Sequence, residues 1–323
     1  MKRRVLGRTG LAVSSIGFGA WGIGGNGVGN SYGPTDDAES RRAVRRAYDL
    51  GCNFFDTADV YGHGHSEALL GEALQDVRHD VILATKVGGN FYNRDVDPRM
   101  AGRIAEVLGH PLDTMPADAP LPLTHDVNFS PSYIRFAAEQ SLRRLRTDYI
   151  DLLQLHNPSL DQIADPETYR VLDELKGEGK IRFYGVSVHP PEEGLAAVQV
   201  TRPDTVQIVY NIARREPEDA FFTAANAAHV GVIAREPLAN GFLAGRYQAD
   251  SVWPKGDIRA RMPRPYVVQL TALGERVKDL ARQAGVTPAQ LAIRFVLDNP
   301  AVSVVIVGMK TVAQVEDNLS VER

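Results

Sequence analysis

Eight short apolar runs, separated by longer segments, are the feature that most constrains the fold of this 323-residue chain. The runs have the length of buried strands, and most segments between them carry the apolar spacing of an amphipathic helix. They begin near Ile16, Phe54, Val81, Ile150, Ile181, Val206, Val232 and Val304. Strands that alternate with helices pair in parallel, and eight such repeats close a barrel. We therefore predict an α/β fold, a (β/α)8 TIM barrel, as a single domain over residues 1–323.

Local signals mark helix starts and a hairpin. Ser130 with Pro131, and Thr287 with Pro288, are typical of helix N-termini. Ahead of the first strand, RVLGRTGLAVSSIG places two short apolar pieces around glycine turns, which predicts a β-hairpin. We expect this hairpin to close the bottom of the barrel.

Two connections are too long for simple turns. The first runs from Gly88 to Phe129 and is rich in proline, and the second runs from Gly245 to Pro265. Long loops on a compact barrel are usually functional, so both are expected to leave the C-terminal face and form the walls and lid of a substrate pocket. A floppy insertion is the alternative.

Composition excludes several classes of partner. The formal net charge is −4 and the sequence pI is about 6.1, so the chain lacks the positive field that nucleic acid or an anionic membrane requires. No segment reaches the length of a membrane-spanning helix, and the start has no apolar signal region. With Cys52 as its one cysteine, the chain is expected to be a soluble, cytoplasmic protein.

Proton-active side chains follow several of the predicted strands. Asp56 and Tyr61 come after the run at Phe54, Lys86 closes VILATK, and His156 closes IDLLQLH. Catalytic groups of a TIM barrel gather at the C-terminal ends of its strands, so these four are expected to meet. Each alone is ordinary packing or a solvated strand end, but together they point to general acid catalysis.

Two other motifs are rejected. Gly17, Gly19 and Gly22 match GxGxxG, but the residues that follow are unsuited to start the helix that a Rossmann site needs. His63 and His65 lack a third ligand at suitable spacing, so no metal is expected.

A family resemblance covers nearly the whole chain. The segments DTADVYG, SEALLGEAL, LLQLHNP, YGVSV, VQIVYN, REPLANGFLAG and VEDNL, together with Lys86, resemble the aldo-keto reductase superfamily in content and order. The resemblance implies an NAD(P)H-dependent carbonyl reductase on a (β/α)8 barrel. It also implies a catalytic tetrad of Asp56, Tyr61, Lys86 and His156.

The chemistry of carbonyl reduction suits this tetrad. Tyr61 would protonate the oxygen of the nascent alcohol, and a cation about 4 Å away would lower its pKa by roughly three units, towards neutrality. Asp56 would hold Lys86 and offset part of that shift. His156 would hydrogen-bond the carbonyl oxygen and orient it.

The resemblance also implies cofactor contacts. Ser187 and Gln207 match the positions that bind the nicotinamide carboxamide, whereas Val188 stands where the family often has Asn. Arg235 replaces an aromatic ring that stacks on the nicotinamide. The following loop would run along the pyrophosphate through its backbone amides, with Glu236, Pro237, Leu238, Gly241 and Leu243.

The last predicted helix supplies a phosphate site. Thr311 and Gln314 have capping-box spacing, and helix N-termini attract phosphate. By resemblance, the adenosine 2′-phosphate would lie near Gly308, Lys310, Thr311, Gln314, Asp317 and Asn318, which favours NADPH over NADH. An ordinary capped helix with an exposed lysine is the alternative.

The substrate is expected to be a small carbonyl compound or a sugar-like molecule. Trp21, Phe91 and Tyr92 are candidates for the pocket wall, with core or lid packing as the alternative. Lys86 could instead form a Schiff base as in an aldolase, but a carboxylate at Asp56 would keep it protonated. The resemblance also leaves open an aldose dehydrogenase that works in the oxidative direction, or an NADPH-binding regulatory subunit of a channel.

Overall fold

In the computed structural model, residues 1–25, 31–91, 127–254 and 256–322 are described. Two short strands form the N-terminal hairpin, β1 (Arg3–Val5) and β2 (Ala12–Ser14), which pair antiparallel. Eight further strands pair in parallel and close into a barrel, in the order β10-β3-β4-β5-β6-β7-β8-β9. They are β3 (Ile16–Gly19), β4 (Phe54–Asp56), β5 (Ile82–Val87), β6 (Ile150–His156), β7 (Ile181–Ser187), β8 (Thr205–Val209), β9 (Gly231–Arg235) and β10 (Val304–Gly308).

The helices of the described residues surround this barrel. They are α1 (Asp37–Asp49), α2 (His65–Leu74), α3 (Pro131–Arg144), α4 (Leu160–Ala164), α5 (Pro166–Gly177), α6 (Pro191–Val200), α7 (Phe221–Ala227), α8 (Arg264–Ala284), α9 (Pro288–Leu297) and α10 (Val312–Leu319). The sequence signals act as expected at α9, where Thr287 and Gln290 form a capping box. Helix α3 begins with Pro131, but the side chain of Ser130 makes no capping hydrogen bond. The predicted barrel and both predicted helix starts are confirmed.

The hairpin closes the N-terminal end of the barrel. Leu6 and Val13 are fully buried and pack with inward-facing barrel residues such as Phe54 and Leu152. Gly7 has φ of +50°, and a Cβ atom there would lie 2.2 Å from the backbone nitrogen of Gly231. The turn therefore needs glycine, because a side chain would push the hairpin off the barrel.

The barrel closes between its first and last strands. Ile16 of β3 pairs with Val305 of β10, and the pairing continues to Gly19 and Gly308 at the C-terminal end. Every residue of β4, β5, β6, β8 and β9 is buried, as expected for parallel strands covered by helices. Among the described residues, no helix is long and apolar enough to cross a membrane.

Candidate active site

The four predicted catalytic residues meet at the C-terminal end of the barrel. Asp56 and His156 are the last residues of β4 and β6, Lys86 lies near the end of β5, and Tyr61 lies between β4 and α2. The rings of Tyr61 and His156 meet edge to face, with centroids 5.8 Å apart. The strand ends therefore bring together side chains that are distant in sequence.

Lys86 is fully buried, and its ammonium group uses all three of its N–H donors. Nζ donates to Oδ1 of Asp56 at 2.6 Å, to the carbonyl oxygen of Thr57 at 2.8 Å and to the hydroxyl of Tyr61 at 3.3 Å. An amine that attacks a carbonyl needs a free lone pair. These contacts favour a protonated ammonium group that is fixed in position, and they argue against the Schiff-base alternative.

Asp56 is held from two further sides. Its second oxygen, Oδ2, accepts hydrogen bonds from Nε2 of Gln207 at 2.8 Å and from Nε2 of Gln154 at 3.2 Å. Gln154 was not predicted as a site residue from the sequence. Its signal is a polar residue inside the apolar strand IDLLQLH, on the same face as His156 because side chains alternate along a strand.

The pKa of Tyr61 differs from the expectation. Burial raises the pKa of this hydroxyl above its ordinary value, and the charge of Lys86 offsets only part of that effect. The predicted shift of this pKa towards neutrality is therefore wrong for this site. The cation can be inferred from the sequence, but the loss of hydration, which disfavours the charged phenolate, depends on burial in the folded chain.

A second buried carboxyl group lies in the same segment as Tyr61. Asp59 is fully buried, and neither of its carboxyl oxygens has a hydrogen-bond partner in the described residues. Burial and then the nearby Glu67 raise its pKa well above the ordinary value. Glu67 itself is paired, because it accepts from Nε of Arg144 at 2.6 Å and from the hydroxyl of Thr85 at 2.5 Å.

A cavity of about 300 Å³ opens beside the tetrad. The end of this cavity at the predicted tetrad, called the catalytic end below, is lined by Asp56, Tyr61, Gln207 and Arg235. Predicted cofactor residues that also line it are Glu236, Pro237, Leu238, Gly241, Gly308, Lys310, Gln314, Asp317 and Asn318. Most of the predicted contacts therefore share one continuous space.

Three predicted cofactor residues lie behind the cavity wall. The hydroxyl of Ser187 donates to Oε1 of Gln207 at 3.2 Å. Leu243 is fully buried in an apolar cluster with residues of α8. Thr311 accepts a hydrogen bond from the backbone nitrogen of Gln314 and so caps α10.

The segment Glu236–Leu243 uses many of its backbone amides internally. The amides of Ala239, Gly241, Phe242 and Leu243 donate to carbonyl groups within the segment. In the described part of the chain, the amides of Glu236, Leu238 and Asn240 make no such bond, and Pro237 has no amide hydrogen. The predicted amide contact with pyrophosphate is therefore restricted to those three positions.

Lys310 lies between the cavity and the loop after β3. Its ammonium group donates to the carbonyl oxygens of Tyr32 at 2.9 Å and Pro34 at 3.1 Å. Burial and then the charge of Arg259 lower the pKa of Lys310. The side chain of Gln314 accepts from the backbone nitrogen of Lys310 at 2.7 Å, so the capping box expected with Thr311 is incomplete. Asp317 accepts from the side chain of Gln290 at 2.8 Å.

The second long connection supplies part of the cavity wall. Arg246, Tyr247 and Arg259 line the cavity. Arg259 pairs with Asp257 at 2.6 Å and lies against the rings of Tyr32, Tyr247 and Trp253. Residues of Gly245–Pro265 therefore line this cavity, although none was named from the sequence. The assignment of this connection to a substrate pocket stays a prediction. Tyr32, Asn240, Ala244 and Ala289 are further lining residues that were not predicted.

The three candidates for the substrate wall fare differently. Trp21 lines the cavity and stacks on Tyr61, with ring centroids 6.0 Å apart. Phe91 is only 4% exposed and stacks on His63 within the core. Tyr92 and most of the first long connection, residues 92–126, lie outside the described residues.

Comparison with known proteins decides the family. The sequence model described as the aldo/keto reductase family matches residues 15–323. The chain belongs to the aldo/keto reductase family. As a member, it is an NAD(P)H-dependent oxidoreductase whose cofactor is NADPH.

Similar proteins include enzymes that act on polyols and sugars. The chain is 32% identical to L-galactose dehydrogenase from Arabidopsis thaliana, over 98% of this chain and 86% of that protein. The glycerol dehydrogenase of Gluconobacter oxydans is 29% identical, with a TM-score of 0.77 over 99% of this chain and 90% of that one. An aldo-keto reductase from Klebsiella pneumoniae, solved in complex with NADPH, is 25% identical, with a TM-score of 0.68 over 99% and 89% of the two chains.

The residues of the cavity fit this cofactor. Arg246, Arg259 and Lys310 offer cationic groups for phosphates along one part of its wall. At the catalytic end, Nε of Arg235 is buried and has no hydrogen-bond partner among the residues that the structure describes. The amide nitrogen of Gln207 already donates to Asp56 and Gln154. Its amide oxygen accepts from Ser187 and keeps a second lone pair that can accept from a carboxamide N–H.

Proposed function

We propose that the protein reduces an aldehyde or ketone to an alcohol with NADPH, and that Tyr61 is the general acid. The observation that carries this proposal is the buried chain of hydrogen bonds from Tyr61 through Lys86 to Asp56 at the catalytic end of the cavity. When bound, NADPH supplies the hydride that is added to the carbonyl carbon.

Tyr61 provides the proton that the carbonyl oxygen takes up. Burial raises the pKa of its hydroxyl, so the group is protonated and ready to donate at neutral pH. Once the proton has left, Lys86 stabilises the phenolate from 3.3 Å away. Asp56 is a positioning residue, because it fixes the ammonium group of Lys86.

His156 orients the substrate in this proposal. It ends β6 edge-on to Tyr61 and is 9% exposed, so its ring can donate to a carbonyl oxygen that also accepts from Tyr61. Trp21 lines the cavity next to Tyr61, with the two rings stacked at a centroid distance of 6.0 Å, and would help to exclude water from the bound substrate.

For the cofactor, we propose ligands at both ends of the cavity. Gln207 and Arg235 would bind near the nicotinamide, with Ser187 supporting Gln207 from behind. The amides of Glu236, Leu238 and Asn240 would approach the pyrophosphate. Lys310 and Gln314 would hold the adenosine 2′-phosphate, with Gly308, Asp317 and Asn318 beside them.

Oxidation of a sugar or polyol is the second candidate. It is favoured by the similarity to L-galactose dehydrogenase and glycerol dehydrogenase. In that direction Tyr61 would have to act as a phenolate base, and its raised pKa makes this form scarce at neutral pH. Oxidation should therefore accelerate with increasing pH, whereas reduction should not.

The test is NADPH consumption with a reactive aromatic aldehyde, measured for the native protein and for Tyr61→Phe. NADP+ reduction with glycerol and with an aldose is measured beside it. We expect Tyr61→Phe to lose at least a hundredfold in turnover, the usual contribution of a general acid, and to keep its affinity for NADPH. Turnover retained in Tyr61→Phe would refute the role of Tyr61, and a native protein that binds no NADPH would refute the function.

A further inference from the structure

Arg235 is a buried cation at the catalytic end of the cavity. It ends β9, is 9% exposed and lines the cavity together with Tyr61 and Asp56. One guanidinium nitrogen, Nη2, donates to the carbonyl oxygen of Val188 at 3.0 Å, whereas Nε has no hydrogen-bond partner in the described part of the chain. Within the described residues, Arg235 forms no ion pair with a carboxylate. By contrast, Lys86 of the tetrad forms an ion pair with Asp56.

The charge of Arg235 shifts the pKa values of nearby groups. It is the largest cause, ahead of burial, of a lowered pKa at His189. At Tyr61, where burial dominates and raises the pKa, Arg235 acts with Lys86 in the opposite direction. At Glu193 burial raises the pKa, and the charge of Arg235 lowers it by a smaller amount. The electrostatic potential of Arg235 is therefore positive where the chemistry occurs.

Hydride transfer changes the charge of the cofactor at this end of the cavity. The reduced nicotinamide ring is neutral, and it becomes a cation once the hydride has gone to the carbonyl carbon and the proton of Tyr61 to the oxygen. A buried cation repels the oxidised ring and leaves the neutral ring unaffected. We propose that Arg235 sets the relative affinity for the two redox states of the cofactor, in favour of NADPH over NADP+.

This inference rests on the proposed function, because it requires the nicotinamide at the catalytic end. Its consequence for turnover is that the oxidised cofactor leaves more readily than the reduced one. Even when two unit charges lie roughly 10 Å apart, their repulsion at an effective dielectric near 20 changes an affinity by on the order of tenfold.

The test is to measure the dissociation constants of NADPH and NADP+ by quenching of tryptophan fluorescence. In Arg235→Gln and Arg235→Met, the preference for NADPH should fall by on the order of tenfold, mainly because NADP+ binds more tightly. Arg235→Lys keeps the charge and should keep most of the native preference. Arg246→Gln is the matched control, since Arg246 lines the cavity and would meet phosphates that both forms carry. Arg246→Gln should weaken the binding of NADPH and of NADP+ equally.

Two results separate failure of this inference from failure of the proposed function. If either neutral variant binds both forms with the native ratio of affinities, Arg235 does not discriminate between them and the inference is overturned. If the native protein binds neither form, the proposed function fails first. Two neutral side chains of different polarity are used so that poor folding of one leaves the other as the test.

Discussion

Replacing Lys86 with methionine should separate the catalytic role of this residue from its structural role. Its ammonium lies 3.3 Å from the Tyr61 hydroxyl, where a full phenolate charge would gain about 5 kcal/mol at an effective dielectric near 20. Asp56, which lies 2.6 Å from the same ammonium, offsets part of that gain. If about 3 kcal/mol of this electrostatic stabilisation acts on the transition state, Lys86→Met should lose roughly a hundredfold in kcat/KM.

The same change should also lower the free energy of unfolding. Asp56 is 1% exposed, and without Lys86 its charge keeps only the two amide donors of Gln154 and Gln207. An unpaired buried charge costs about 3–5 kcal/mol. A second substitution, Asp56→Asn, removes the charge, so the double variant should recover most of the lost stability but none of the lost turnover.

The assays are urea unfolding and steady-state reduction of an aromatic aldehyde, applied to the native protein, both single variants and the double variant. Stability that does not return in Lys86→Met with Asp56→Asn would refute the argument about the buried charge. Turnover that does return would show that the ammonium is dispensable for proton transfer. Asp56→Asn alone is the control for any effect of the amide itself.

Two further substitutions test other parts of the site. Asp59→Asn should raise the free energy of unfolding at pH 7 by about 1–3 kcal/mol, because burial disfavours the ionised carboxylate and the amide carries no charge. The raised pKa of Asp59 means that the folded state binds more protons than the unfolded one, so native stability falls as pH rises above the ordinary range of a carboxyl group. The increase in the free energy of unfolding caused by Asp59→Asn, measured by urea unfolding, should therefore be smaller at pH 4 than at pH 7. An increase that is the same at both pH values would contradict this account. Lys310→Ala should reduce the preference for NADPH over NADH in kcat/KM by about tenfold, and an unchanged preference would refute the phosphate assignment.

The strand ends could be predicted because their signals are local. An apolar run of strand length, followed by a charged or aromatic residue, is visible in the sequence at Asp56, Lys86 and His156. The barrel topology then places these ends on one face, and the hydrogen bonds of Lys86 follow from that. The fold and the meeting of the tetrad residues therefore needed no knowledge of distant contacts.

The rest of the site depends on contacts that no local pattern encodes. Tyr32 reaches the cavity wall through a hydrogen bond to Asn240 at 2.7 Å, although the two residues are far apart in the sequence. Arg259 lines the cavity inside a long connection whose path only the folded chain defines. The pKa of Tyr61 depends on how much water burial removes, which a list of nearby charges does not contain.

The pairing of β3 with β10 has a consequence for the synthesis of this protein. Ile16 leaves the ribosome before its partner Val305, which lies nearly 300 residues later in the chain. At typical rates of synthesis, one edge of β3 waits roughly 15–60 s for that partner. An unpaired strand edge is a template for association with other chains, so the nascent protein is exposed to aggregation until β10 arrives.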